Sequence, residues 1–295
     1  MKITYKVKDE INIEQISKGV FHMSQRLFTK LKKEHIFLNG DLLSPHQELK
    51  KDDIIEYNFD YEEDSENIVP NNSIKLDILF EDEWLLVVNK PANLPVHPSM
   101  SHYTNSLSNG VKSYFNSIQL HKKIRPVNRL DKNTSGIVIF AKCEYIQEKL
   151  IYEMKSKAFK KEYIAILDGE LHGNGTISKA IKRKLPSIIE REIDESPDAS
   201  PAITHYNVIK NFTINNNIYT LVKFILETGK THQIRVHSKS INHPILGDSL
   251  YGKESNLISR QALHASHITF VHPITNQTIN IDSPIPDDMN IILNG

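Results

Sequence analysis

The stretch DYEEDSENIVPNNS (60–73) does most to limit what this 295-residue chain can fold into. It is acidic and polar, carries a proline and paired asparagines, and shows no apolar period, so it reads as a linker. The chain then divides into a small unit at 1–60, a linker at 61–73 and a long unit at 74–295. Few contacts are expected to cross such a linker.

In the small unit, MKITYKV alternates like a strand. Ile13, Ile16, Val20, Met23, Leu27 and Leu31 follow helical spacing, with a break into two helices expected near Gly19–His22. IFLNGDLL places Asn39-Gly40 as a turn between short strands, and DIIEYNF closes the unit. In the long unit, strand-like runs stand at KLDILFED, EWLLVVNKP, GIVIFAK, EYIAILDG, YTLVKFILET and HITFVHP. Helical patterns lie between them. The clearest is EYIQEKLIYEMKSKAF, with Ile146, Leu150, Met154 and Ala158 at every fourth residue. This mixture predicts an α+β domain with a sizeable sheet.

Lys plus Arg and Asp plus Glu are 36 each, so net charge decides nothing and its distribution must. Lysines gather at Lys30, Lys32 and Lys33, at Lys155, Lys157, Lys160 and Lys161, and at Lys179, Lys182, Arg183 and Lys184. Any one cluster is an ordinary solvated face. Three of them, set against acidic runs at 60–66 and 190–198, predict a polarised surface suited to a polyanion.

The single cysteine, Cys143, excludes an intrachain disulfide and a thiolate zinc site, and points to a reducing compartment. The N-terminus has no apolar signal-peptide core, and runs such as WLLVV (84–88) are strand-sized, so a cytoplasmic protein without a membrane span is expected. There is no P-loop glycine pattern and no HExxH. His232 and His237 are five apart, which puts them on different faces of a helix or strand, so neither metal nor cofactor is expected.

The segment richest in chemistry is RPVNRLDKNTSGIVIFAK (125–142). Arg129-Leu130-Asp131 precedes a turn-rich stretch that opens an apolar strand, and Gly136 suits a strained backbone. Taken alone, this is a surface turn with an exposed aspartate. The segment resembles the catalytic motif of the RluA-type pseudouridine synthase family, H-R-L-D-x-x-T-S-G-x-x-x-x-A-K, departing only at Asn128. KPANLPVHP (90–98), KEYIAILDG (161–169), LETGKTHQIRVHSKSINHPILGDSLYG (226–252) and ALHASHITFVHP (262–273) resemble its other motifs, in order. Lys230 is a second departure, standing where arginine is commoner. SQRLFTKLKKEHIFLNGDLLSPHQELKKDDII (24–55) is similar to the αL RNA-binding module.

The resemblance implies a mixed, mostly antiparallel sheet carrying the site, with a small N-terminal α/β RNA-binding module. It implies isomerisation of uridine to pseudouridine in structured RNA, ribosomal or transfer RNA, by a monomer without cofactor. Asp131 would be the catalytic carboxylate, Arg235 its fixed cation and Tyr163 the aromatic packed on the flipped uracil. Arg129 would fill the gap the base leaves. Leu130, Thr134, Ser135, Gly136, His232 and Gln233 would contact substrate, and Lys30, Lys32 and Lys33 would dock RNA. Arg235 is expected on a helix capped by Thr231 and stopped at Asn242-His243-Pro244. Two rival readings are a non-catalytic RNA-binding assembly factor on a synthase scaffold and an aspartate-dependent glycosidase. The first leaves Asp131, Tyr163 and Arg235 without purpose, and the second lacks an evident second carboxylate.

Overall fold

The computed structural model describes residues 1–9, 11–44, 47–63, 68–100, 102–154, 156, 158–187 and 189–294. Residues 64–67 of the linker, and Lys155 and Lys157 of the second basic cluster, lie outside the described residues.

The small unit is a four-stranded sheet in the order β1-β4-β2-β3. Its strands are β1 (Lys2–Lys6), β2 (Ile36–Leu38), β3 (Asp41–Leu42) and β4 (Ile54–Asn58). Against it lie α1 (Ile13–Gln15), which runs into a π turn at Ile16–Val20, and α2 (Gln25–Glu34). Asn12 caps α1 through a capping box and Ser24 caps α2. Between the helices His22 takes a left-handed backbone, which is the expected break. Asn39 (φ +51°) and Gly40 (φ +97°) form the β2–β3 turn.

The long unit is built on one large sheet. Its strands are β5 (Asp77–Glu81), β6 (Leu85–Lys90), β7 (Arg125–Pro126), β8 (Ser135–Ala141), β9 (Lys160–Asp168), β10 (Asn174–Ser178), β13 (Ile203–Ile214), β14 (Asn217–Leu226), β15 (Leu263–Val271) and β16 (Thr278–Asp282). The order is β10-β13-β14-β9-β15-β8-β6-β5, with β16 beside β15 and β7 beside β8. Every pairing is antiparallel except β15 with β8, so the sheet is mixed and mostly antiparallel. A separate ribbon pairs β11 (Ile181–Arg183) with β12 (Arg191–Ile193). Helices α3 (Leu107–Ser117), α4 (Glu144–Glu153), α5 (Gln233–Ser240) and α6 (Asp287–Asn294) complete the unit. Since α4 ends at Glu153, Ala158 does not continue its apolar stripe.

The parallel β8–β15 junction fixes the position of the 131–134 turn. Gly136 (φ +110°) faces Ala265, and a β-carbon there would lie 2.2 Å from the Ala265 carbonyl oxygen. No larger residue fits that crossing.

The expectation of few contacts across the linker fails. Leu86, Val88, Val138 and Phe140 pack into one core with α3 and α5, while Leu85, Val87, Ile137 and Ile139 face the other side. There they share a core with Met1, Ile16, Leu27, Leu31, Ile55, Tyr57 and Phe59 of the small unit. The Phe59 ring stands 6.3 Å from Trp84 and 5.7 Å from Tyr145. Glu63 accepts two hydrogen bonds from Arg125, at 2.8 and 2.7 Å, and Lys122 donates to the Phe59 and Tyr61 carbonyls. The physical reason is that successive residues of β6 and β8 are buried on both faces, so the small unit serves as the second layer.

Candidate active site

Asp131 follows β7 on the turn that leads into β8, and buried groups hold that turn from below. The Lys90 ammonium, wholly buried, donates to the carbonyls of Pro91 (2.8 Å), Leu94 (2.8 Å) and Lys132 (3.0 Å). Burial pushes its pKa down to about 7, with Asp131 opposing the shift. Arg260 donates to the carbonyls of Asn133 (3.2 Å) and Leu263 (3.3 Å) while its other side grips Asp288 at 2.6 and 2.8 Å. The Thr134 amide donates to the Asp131 carbonyl at 3.1 Å. These bonds leave the turn little freedom.

The Asp131 carboxylate meets Arg235 from the first turns of α5. Arg235 Nη1 donates to Asp131 Oδ2 at 3.1 Å, while Nε and Nη2 hold Asp248 at 2.7 and 2.9 Å. The Asp248 carboxylate is fully buried and also accepts the amides of Leu250 and Tyr251. Burial works against the guanidinium, but Asp248 and then Asp131 raise its pKa, so it stays charged. Asp131, by contrast, keeps 26 % of its side chain accessible, which leaves it open to a ligand.

His232 Nε2 lies 3.7 Å from Asp131 Oδ2, and its Nδ1 is 2.8 Å from the Tyr251 hydroxyl. That hydroxyl accepts the Arg191 amide at 2.7 Å. With the hydroxyl proton given to Nδ1, Nε2 carries the imidazole proton toward Asp131. Burial lowers the His232 pKa, which favours this neutral ring. His232, not Thr231, is the N-cap of α5, and its backbone is left-handed (φ +59°). The cause is the tight 228–233 turn. The Gln233 side chain accepts from the Thr228 hydroxyl (2.8 Å) and the Lys230 amide (2.9 Å) and donates to Ile203 and Thr204.

Tyr163 comes from the middle of β9. Burial raises its hydroxyl pKa, and Asp131 adds to that, so the phenol is un-ionised. Tyr163, Asp131, Leu130 and Leu226 line a pocket of about 60 Å³ together with Arg235. The same four residues border a wider cleft of about 740 Å³ whose walls carry Arg129, Lys161, Arg183, Arg191 and Lys230. The site is thus a carboxylate pinned by a locked arginine, beside a buried ring, at the floor of a basic cleft.

A family model described as RNA pseudouridylate synthase matches residues 84–240. The RNA pseudouridine synthase YjbO of Bacillus subtilis (strain 168) is 36 % identical over 280 residues, covering 94 % of this chain and 96 % of its own. The chain belongs to the RNA pseudouridylate synthase family. As such it is an enzyme that isomerises uridine to pseudouridine in RNA. The ribosomal large subunit pseudouridine synthase D of Vibrio cholerae is 30 % identical, with 98 % of this chain and 93 % of that one covered. The human protein RNA pseudouridylate synthase domain containing 1 shares the fold, with a TM-score of 0.61 at 24 % identity over 74 % of this chain and 86 % of that one.

In this synthase the structure gathers Asp131, Tyr163, Arg235, Arg129, Leu130, Thr134, His232 and Gln233 around one pocket. Three of the expected substrate contacts have other employment. The buried Ser135 hydroxyl pairs with His264 Nδ1 at 2.9 Å, facing the sheet interior. Gly136 is consumed by the strand crossing, and the amide of Gln233 by its own turn. Lys30 is engaged as well, with Glu144 (2.9 Å), Glu63 (3.2 Å) and the Tyr61 ring, which leaves Lys32 and the exposed Lys33 as the outward members of that trio. Asn128 is buried and bonds the Ile137 carbonyl and the Ile139 amide, stapling its loop to β8. Among the described residues no cluster of three or more His, Cys, Asp or Glu could hold a metal. Sequence reasoning missed Lys90, Asp248, Tyr251 and Arg260. Three of these are charged residues that burial, invisible in the sequence, turns into site supports.

Proposed function

We propose that this synthase modifies ribosomal RNA and that Asp131 is its catalytic carboxylate, acting on the sugar or base of a flipped uridine. The observation that carries the second part is the Asp131–Arg235–Asp248 chain. A catalytic carboxylate has to be held in place and stay reachable, and Arg235 holds Asp131 by a hydrogen bond while leaving it partly open. Asp248 makes that arginine immobile, so Asp131 has a fixed orientation before substrate arrives. Tyr163 would pack on the uracil, Leu130 and Thr134 would wall it, and Arg129 would occupy the vacated stack. His232 would present its Nε2 proton to the reacting groups.

The large-subunit synthase from Vibrio cholerae, which this chain matches along nearly its whole length, supports ribosomal over transfer RNA. We further propose residues 1–60 as an RNA-docking module working through Lys32 and Lys33. We also propose that it acts as a monomer. No described helix is long and apolar enough to cross a membrane, and a ribosomal substrate supports a cytoplasmic site of action. The test is to map pseudouridines in ribosomal and transfer RNA from cells with and without the gene. One or more ribosomal positions should revert to uridine in its absence. Loss confined to transfer RNA would overturn the substrate assignment.

A further inference from the structure

Lys161 stands on β9 two residues before Tyr163, so both side chains project from the same face of the strand. It is only 7 % exposed, yet its ammonium has no hydrogen bond or ion pair to any described residue. Among the described residues, the other buried lysines are provided for. Lys90 has three carbonyls, Lys122 has two, and Lys142 has Glu81 at 2.7 Å and the Asp82 carbonyl. The Lys161 stem is buried while its nitrogen meets the cleft, so it is a partly desolvated charge with no counter-charge among the described residues. Burial alone depresses the Lys161 pKa, and no neighbouring carboxylate opposes it.

The surroundings supply a reason. Lys161 lines the wide cleft that Asp131 and Tyr163 border. Its Nζ lies 3.2 Å from where a Gly229 β-carbon would stand, so a side chain at 229 would press on the ammonium. The loop that follows puts Lys230 and Thr231 on the same wall. A partly enclosed ammonium, a glycine that keeps the approach clear, and a second cation on the wall of the same cleft form a receptor for one small anion.

Resting on the reading that the substrate is RNA, we propose that Lys161 receives a backbone phosphate of the target nucleotide or its immediate neighbour, so that its missing counter-charge arrives with the substrate. Lys161 is then a positioning residue, setting how deeply the flipped uridine descends toward Asp131.

The experiment compares full-length Lys161→Met and Lys161→Arg, each in an Asp131→Asn background so that RNA is bound but not consumed. Affinity for ribosomal RNA from cells lacking the protein is followed from roughly 50 to 200 mM salt. Lys161→Met should bind about tenfold more weakly at low salt, and its log–log salt slope should be shallower by about 0.7–0.9, one phosphate contact. Lys161→Arg should recover the slope. Because methionine removes a partly desolvated charge that has no protein partner, Lys161→Met should unfold at an equal or higher denaturant concentration than its parent, a result no structural role for the ammonium would give. An unchanged salt slope overturns the proposal, and so does a clear loss of stability in Lys161→Met. Tritium release from uracil-labelled RNA by the unsubstituted protein is measured separately. Its absence would strike the functional reading, while the salt slopes still judge Lys161.

Discussion

Arg235 is divided between two carboxylates of different standing. Asp248, fully buried, holds two of its nitrogens, and Asp131, partly open, holds the third. Losing the buried partner would leave a guanidinium in a low-dielectric site with a single contact, to the partly open Asp131. Asp248→Asn is therefore expected to cost about 3 kcal/mol of unfolding free energy. It should also lower turnover more than RNA affinity, because Asp131 loses its fixed orientation while the phosphate contacts remain. Urea unfolding together with separate KM and kcat measurements would check this. A variant with the stability and turnover of its parent would show that Asp248 is dispensable. Little of this was legible in the sequence. Asp131, Tyr163 and Arg235 emerged because ordered motifs carry them, whereas Asp248 and Lys90 look like any surface charge until burial is known. Nor could the sequence show that the Ser135 hydroxyl and the Gln233 amide are bonded within the protein, since a polar residue inside a motif does not declare which partners the fold gives it.

The element that most constrains the site is the parallel junction of β8 and β15, where Ser135 meets His264. His264 is buried with its Nε2 3.3 Å from the Ser283 carbonyl, and burial pushes its pKa down to about 4. The unfolded chain would take up this proton near the ordinary histidine value of about 6.5. Between these values the unfolded state binds more protons, so the neutral ring contributes stability that is fully present above about 6.5 and lost as pH falls toward about 4. The loss should be on the order of 3 kcal/mol. Denaturant midpoints of the parent and of His264→Gln across that range would test it. The parent should show the steeper decline, and parallel curves would exonerate His264. The strands of this sheet were readable where β-branched runs are dense, as in β6, β8 and β14. They were unreadable in β13, ITHYNVIKNFTI, whose lysine and asparagines dilute the alternation on a strand that is mostly half-exposed. Helix α2 and the β2–β3 turn were legible because local chemistry, a serine cap and Asn-Gly, decides them.

At the scale of the whole molecule, the polar linker misled and the apolar runs on either side of it held the correction. WLLVV and GIVIF have no alternation, which means burial on both faces, and the first sixty residues supply the second layer. A chain beginning at Ile74 would re-expose Leu85, Val87, Ile137, Ile139 and Trp84, at about 1.5–3 kcal/mol for each large side chain. It is expected to aggregate or to unfold at much lower denaturant concentration, and a cooperative transition near that of the full chain would contradict the shared core. The small unit is therefore both a support for the sheet beneath the site and the proposed RNA module, so its deletion cannot separate those roles, whereas Lys32→Gln with Lys33→Gln can. The proposed conversion of uridine to pseudouridine rests on one carboxylate. Its most direct measurement is tritium release from RNA labelled at carbon-5 of uracil, comparing the parent with a folded Asp131→Asn, in which the carboxylate becomes an amide of the same size. The parent should release tritium, and Asp131→Asn should bind the RNA yet release it slower by several orders of magnitude. Near-parental release by Asp131→Asn would contradict the account.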